Sequence, residues 1–256
     1  MHTTLDFPDL LGLIDERSAA FRAAVAAAPD LDAQVPTCPE WTLFDLVRHL
    51  GEGRRAWAAT IAAGPDATAK AAPRDTSAPP REREALLAWS AAGTRELLDA
   101  LREAGPDRGC WAWWDKTQSP LTCGGVARRQ LHEIAVHTYD AQVTAGAPQP
   151  LPAAVALDGA EEFLSTFCTT TVAWPHEPAV VDYHASEGRS WRNWLTADGA
   201  RAARLTTPAA DASDASARGT AHELVLAFYG RIPLDSLEFD GNRGLFDQLV
   251  EWDPER

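Results

Sequence analysis

Apolar residues return at helical spacing along the first two thirds of the chain, and the rhythm breaks near residue 174. Between about Asp6 and Ala28 they fall at Leu10, Leu13, Ile14, Phe21 and Val25, which share one helix face. Pro29 ends that segment, and Val35 to Thr42, with two prolines, reads as a stiff turn. Thr42 and Asp45 resemble a capping box, with Asp in place of the more usual Glu. A second helix then runs to about Ala63 on the stripe Leu43, Leu46, Val47, Leu50, Trp57 and Ile61. After a loop over 64–80, a third helix covers roughly Arg81 to Glu103, stopped by Gly105-Pro106. The aromatic connector Cys110-Trp111-Ala112-Trp113-Trp114 leads to a fourth, from about Gly125 to Ala145, and 152–171 read as a fifth.

Beyond the break, Val180 to His184 and Trp191 to Leu195 read as strands joined at Glu187-Gly188, with Arg204 to Thr207 as a third strand. The polar stretch 208–218 reads as a loop, and 220–229 and 243–252 as helices. Helices first and strands later predict a mostly α chain: a helical bundle over 1–173, then a small α+β domain over 174–256.

Charge narrows the partners. The 256 residues carry 37 Asp and Glu against 23 Lys and Arg, a net charge of −14. Such a chain is repelled at long range by nucleic acid and by anionic lipid. Charges cut every apolar stretch well before the ~20 residues of a membrane span, and Met1 to Asp6 lacks a secretion signal, so the expected location is cytoplasmic. Cys38, Cys110, Cys123 and Cys168 match no zinc ribbon and read as free buried thiols.

The fourth helix carries Arg128-Arg129-Gln130-Leu131-His132-Glu133-Ile134-Ala135-Val136-His137-Thr138-Tyr139-Asp140. Glu133 and His137 lie about 40° apart, one turn along the same face, whereas His132 and His137 lie about 140° apart. The second separation excludes the zinc peptidase pattern, which needs its histidines at i and i+4. Glu133 with His137 is either a chelating pair, as in metal-binding bundles, or an ordinary helix-surface contact. His49 flanks the apolar stripe of the second helix and is either a satisfied core histidine or a third ligand. Two histidines and a carboxylate make an open metal site, with one position left for water or substrate. Asp140 either orients His137 or simply ends the helix. Arg48, Arg54 and Arg55 read as a solvated face, though any of them can bind a carboxylate. His132 reads as a helix-packing residue, Trp111, Trp113 and Trp114 as pocket lining or packing anchors, and His176, His184 and His222 as surface or core.

Three segments, in order, carry a resemblance. Val35-Pro36-Thr37-Cys38-Pro39-Glu40-Trp41-Thr42 with Asp45-Leu46-Val47-Arg48-His49-Leu50-Gly51 resembles the N-terminal signature of the mycothiol-dependent maleylpyruvate isomerase family. Arg128 to His137 resembles its second signature, and Gly219-Thr220 through Tyr229-Gly230-Arg231-Ile232-Pro233 its C-terminal motif. The resemblance implies a DinB-like four-helix bundle followed by a small α+β domain. It implies a divalent metal, usually Zn2+, held by His49, Glu133 and His137, and mycothiol, an actinobacterial low-molecular-weight thiol, as cosubstrate. It also implies that Arg231 serves the active site. Glu40 departs from the family, where Gly is more usual before the tryptophan.

The implied chemistry is attack of a thiolate on a small electrophile, ending in cis-trans isomerisation or in S-transfer. A non-catalytic metal-binding or regulatory protein of the same fold, and a metal-assisted hydrolase, are the alternatives. The expected partners are that electrophile and the thiol, with the protein a monomer or homodimer.

Overall fold

The structure, a computed structural model, describes residues 5–73, 77–206 and 212–252. It divides into two compact units, residues 1–113 with 120–151 and residues 114–119 with 152–256.

The first unit is a four-helix bundle of α1 (Phe7–Ala27), α2 (Leu43–Ala63), α3 (Arg83–Ala104) and α4 (Cys123–Thr144). The helices begin where the chemistry of their first turns dictates. Asp6 caps α1, accepting from the Asp9 amide at 2.9 Å, and a proline follows in the first turn. The Thr42–Asp45 box forms in full, with both reciprocal bonds present. Helix α1 packs on α4 and α2 on α3, and α2 also meets α4. Phe21, Val25, Leu43, Leu46, Val47, Leu86 and Ile134 close the core between them. Residues Val35 to Thr42, expected as a turn, carry two short paired strands, β1 (Gln34–Val35) and β2 (Cys38–Thr42), which deliver the chain into α2.

The second unit comprises α5 (Ala153–Phe167), β3 (Ala179–Ala185), β4 (Arg189–Thr196), β5 (Gly199–Leu205), β6 (Ala215–Gly219), α6 (Ala221–Phe228), β7 (Glu238–Gly241) and α7 (Gly244–Glu251). The sheet order is β5-β4-β3-β6-β7, antiparallel except for β3 beside β6. The expected β3–β4 hairpin is present, with Tyr183 opposite Trp191 and Gly188 at φ +91° in the turn.

Three expectations change. The third strand lies at Gly199–Leu205, and Thr207 falls outside the described residues, as do Met1 to Thr4 and 208–211. The end of the supposed loop is β6, where buried Ala215 and Ala217 alternate with Ser216 and Arg218. Helix α5, assigned above to the bundle, belongs to the second unit, so the division falls at 151/152 rather than 173/174. Its buried face (Val155, Leu157, Ala160, Leu164) packs on α6, β4 and β5. The segment 114–119 joins it through Gln118, whose amide donates to Thr169 Oγ1 at 2.9 Å and whose side-chain oxygen accepts from the Ala202 amide at 2.6 Å.

Candidate metal centre

Helix α4 presents Arg129, Glu133 and His137 at successive four-residue steps, one above the other on a single face. The α2 face opposite brings His49. The ligand atoms of His49, Glu133 and His137 all lie within 4.8 Å of one another. His49 Nε2 donates to Glu133 Oε1 at 2.9 Å, and His137 Nε2 lies 3.4 Å from the same oxygen. Arg129 Nη2 donates to the other carboxylate oxygen at 2.8 Å.

Asp140 of α4 and three residues from β2 and its approach, Thr37, Cys38 and Trp41, complete the surround. Asp140, fully buried, takes the His137 Nδ1 proton at 2.7 Å and the Thr37 hydroxyl at 2.6 Å, with the Cys38 thiol 3.5 Å away. With Nδ1 committed to Asp140, His137 turns Nε2 toward Glu133 and His49, the geometry a histidine ligand needs. The Trp41 ring lies over His49, centroids 4.6 Å apart, and 5.9 Å from His137. His137 is buried and the His49 side chain is 40% exposed, so the cluster opens on the His49 side.

The electrostatics suit a cation. Burial by itself raises the Glu133 carboxyl, but hydrogen bonds to His137 and His49, and the charges of His137 and Arg129, hold it well below the usual range. Burial lowers His137, yet hydrogen bonds to Asp140 and Glu133 outweigh it and raise the imidazole. In the bare protein, then, the carboxylate is ionised and a proton stands between it and the imidazoles. A divalent ion bound there would replace that proton. Two imidazoles and one carboxylate can hold zinc and several other first-row ions.

Beside His49 lies a pocket of about 430 Å3 lined by Glu52, Arg55, Lys70, Ser77 and Trp89. The expectation of a solvated arginine face holds for Arg48, which pairs with Asp45 at 3.0 Å, and fails for Arg54 and Arg55. Arg54, 2% exposed, donates to Thr94 Oγ1 at 2.6 Å and Ser18 Oγ at 2.9 Å. Arg55 stacks on Trp89 and donates to the Gly51 and Trp89 carbonyls at 3.0 and 2.8 Å. Arg55 fits against α3 because Gly93 has no side chain, where a Cβ would meet its Nη1 at 2.7 Å, and Arg54 is held between Ser18 of α1 and Thr94 of α3.

Of the residues named from sequence, the structure brings His49, Glu133 and His137 together in the first unit, with Asp140 behind His137. Arg231 lies in the second unit, just after α6, and its Nη1 donates to the Tyr229 carbonyl at 2.7 Å. His132 is buried. Trp111 rests near Trp57, and Trp114 is buried. All four cysteines are free. Sequence reading missed Arg129, Thr37, Cys38 and Trp41 as neighbours of the cluster. The four-residue step before Glu133 marked Arg129. Nothing local marks the other three, because only the fold brings β2 to α4.

The mycothiol maleylpyruvate isomerase N-terminal domain profile matches residues 11–142. The chain belongs to the mycothiol maleylpyruvate isomerase family. The C-terminal domain profile of the same family matches residues 154–248, so the two profiles divide near the boundary of the two units. Among solved structures, the chain is similar to the mycothiol-dependent maleylpyruvate isomerase at 15% identity and TM-score 0.58, covering 92% of this chain and 93% of that one. A mutant of that enzyme matches over the same shares at 14% identity and TM-score 0.58. These likenesses show the maleylpyruvate isomerase fold, mostly helical with a small sheet-containing C-terminal region. No curated protein sequence matches the chain. Among the described residues, no helix is long and apolar enough to cross a membrane.

Proposed function

We propose that this chain is a divalent-metal-dependent thiol enzyme of the maleylpyruvate isomerase kind, with mycothiol as the thiol and a small unsaturated acid as the electrophile. The observation that carries the reading is the convergence of His49, Glu133 and His137 on one point at the edge of a polar pocket. Family membership supports the choice of thiol and electrophile.

His49 Nε2, His137 Nε2 and Glu133 Oε1 would hold the ion, and Asp140 would fix the His137 ring. When bound, the ion supplies positive charge that keeps a thiol deprotonated at neutral pH. Arg129 neutralises the second Glu133 oxygen and keeps the carboxylate from swinging away. Trp41 covers one side of the imidazoles and limits water there. Arg55 and Lys70, in the adjoining pocket, offer charge-assisted bonds to carboxylates of the electrophile or the thiol. In the proposed reaction the sulfur adds to one alkene carbon and the π pair moves into the conjugated carbonyl. The new single bond rotates, and return of the pair expels the sulfur. Atoms and charge balance, and no proton need be lost. We also propose Arg231, on the resemblance alone, as a carboxylate-binding residue. Arg231→Lys is expected to raise KM more than it lowers kcat.

The test is turnover of maleylpyruvate by the full chain with and without mycothiol. The reading expects turnover only with the thiol, and its loss in His49→Ala. Turnover without any thiol would replace it with hydrolysis or another reaction, and full activity in His49→Ala would remove the site.

A further inference from the structure

The second unit contains a cavity that the proposed reaction does not use. It measures about 280 Å3 and lies among α5, α6, α7 and the sheet. Five aromatic residues line it, Phe163, Phe167, Phe228, Phe246 and Tyr183, with Cys168 at the end of α5 and six aliphatic side chains making up the rest. The rings brace one another. Phe163 stacks on Phe228 with centroids 5.0 Å apart, and Tyr183 meets Phe228 and Phe246 edge-on at 5.2 and 6.0 Å. The cavity is open toward the exposed Phe167 and Val250.

Tyr183 is the informative residue. It is only 4% exposed, it lines the cavity, and its hydroxyl has no hydrogen-bond partner among the described residues. The hydroxyl is not sealed from solvent, so it stands open to water or to a ligand, which a phenylalanine in the same wall could not hydrogen-bond. No charged side chain lines the space among the described residues. Burial pushes the Cys168 thiol up to about 12 and the Tyr183 phenol well above its usual value, so both stay neutral. A carboxylate has no counter-charge here, which separates this site from the pocket beside His49. The volume lies near the lower end of small-molecule sites, roughly 300–1,000 Å3, and suits one or two rings.

We propose that this cavity binds a small neutral aromatic molecule bearing one hydroxyl or carbonyl group, which Tyr183 hydrogen-bonds while the phenylalanine rings hold its faces. Offset and edge-on ring contacts favour a flat aromatic body over an alkyl chain of equal volume. The site is independent of the metal-site reading and would stand if that reading fell.

The probe is 2-naphthol, titrated into the full chain and followed by its own fluorescence, excited beyond tryptophan absorption. Saturable one-to-one binding is expected, weakened about fivefold or more in Tyr183→Phe and abolished in Ala227→Phe, which fills the cavity from α6. Removing the metal should leave the affinity unchanged. Absence of saturable binding, equal affinity in Tyr183→Phe, or displacement by 1-octanol at concentrations matching 2-naphthol would overturn the proposal. Should Ala227→Phe prove unfolded by circular dichroism, Tyr183→Phe, which keeps the shape of the wall, decides alone.

Discussion

An imidazole offered to an ion depends on what holds its other nitrogen, and for His137 that is Asp140. It is fully buried and spends both oxygens, one on His137 and one on Thr37. Asp140→Asn keeps the shape but removes the charge that fixes the His137 ring. We expect metal affinity to fall about 10–100-fold, read by competition with a chelator. Unchanged affinity would reduce Asp140 to a helix-end residue. At this scale the sequence was uneven. The four-residue step made Glu133 and His137 visible, and a family signature supported His49. Arg54 and Arg55 run against the usual solvation of arginine, and no local pattern shows that Gly93 of α3 makes room for Arg55 or that Ser18 of α1 and Thr94 of α3 receive Arg54.

Helix α2 sets the position of His49, and two of its features can be broken separately. The Thr42–Asp45 box fixes where the helix starts, two turns before His49. Thr42→Ala should cost about 1 kcal/mol of stability in a denaturant titration, with little effect on the proposed metal ligands. Gly51 fixes how closely α2 meets α3: a Cβ there would run into the Trp89 ring. Gly51→Ala should therefore cost about 1–3 kcal/mol by overpacking. It should also disturb the pocket that Trp89 and Arg55 line. An effect below about 0.5 kcal/mol would mean that the contact relaxes freely. The helices were legible because their stripes are long and their caps explicit. The short strands were not. β6 reads as a polar loop because its inward residues are alanines, whose small side chains give a period-two pattern without hydrophobic contrast.

The whole molecule carries one strongly raised thiol in each unit. Burial, aided by the neighbouring Cys123, pushes Cys110 up to about 12, and burial alone does the same for Cys168. In the unfolded chain these thiols ionise near 9.0, so between 9 and 12 the unfolded state holds fewer protons than the folded one. Stability must then fall as pH rises through that window. The melting temperature should decline above pH 9, and less steeply in Cys168→Ala. An identical slope would contradict the assignment. The fold class was legible at this scale from the change of period near residue 174. The division between units was not, because α5 has the same helical rhythm as the bundle helices and only its packing on α6, β4 and β5 assigns it. The central claim concerns the bundle alone: His49, Glu133 and His137 hold one divalent ion. Elemental mass spectrometry of the purified protein, beside His49→Ala and His137→Ala, tests it most directly. The account predicts about one equivalent of metal in the parent, lost from both folded variants. A parent that neither retains metal nor takes up added zinc, or variants that keep a full equivalent, would contradict it.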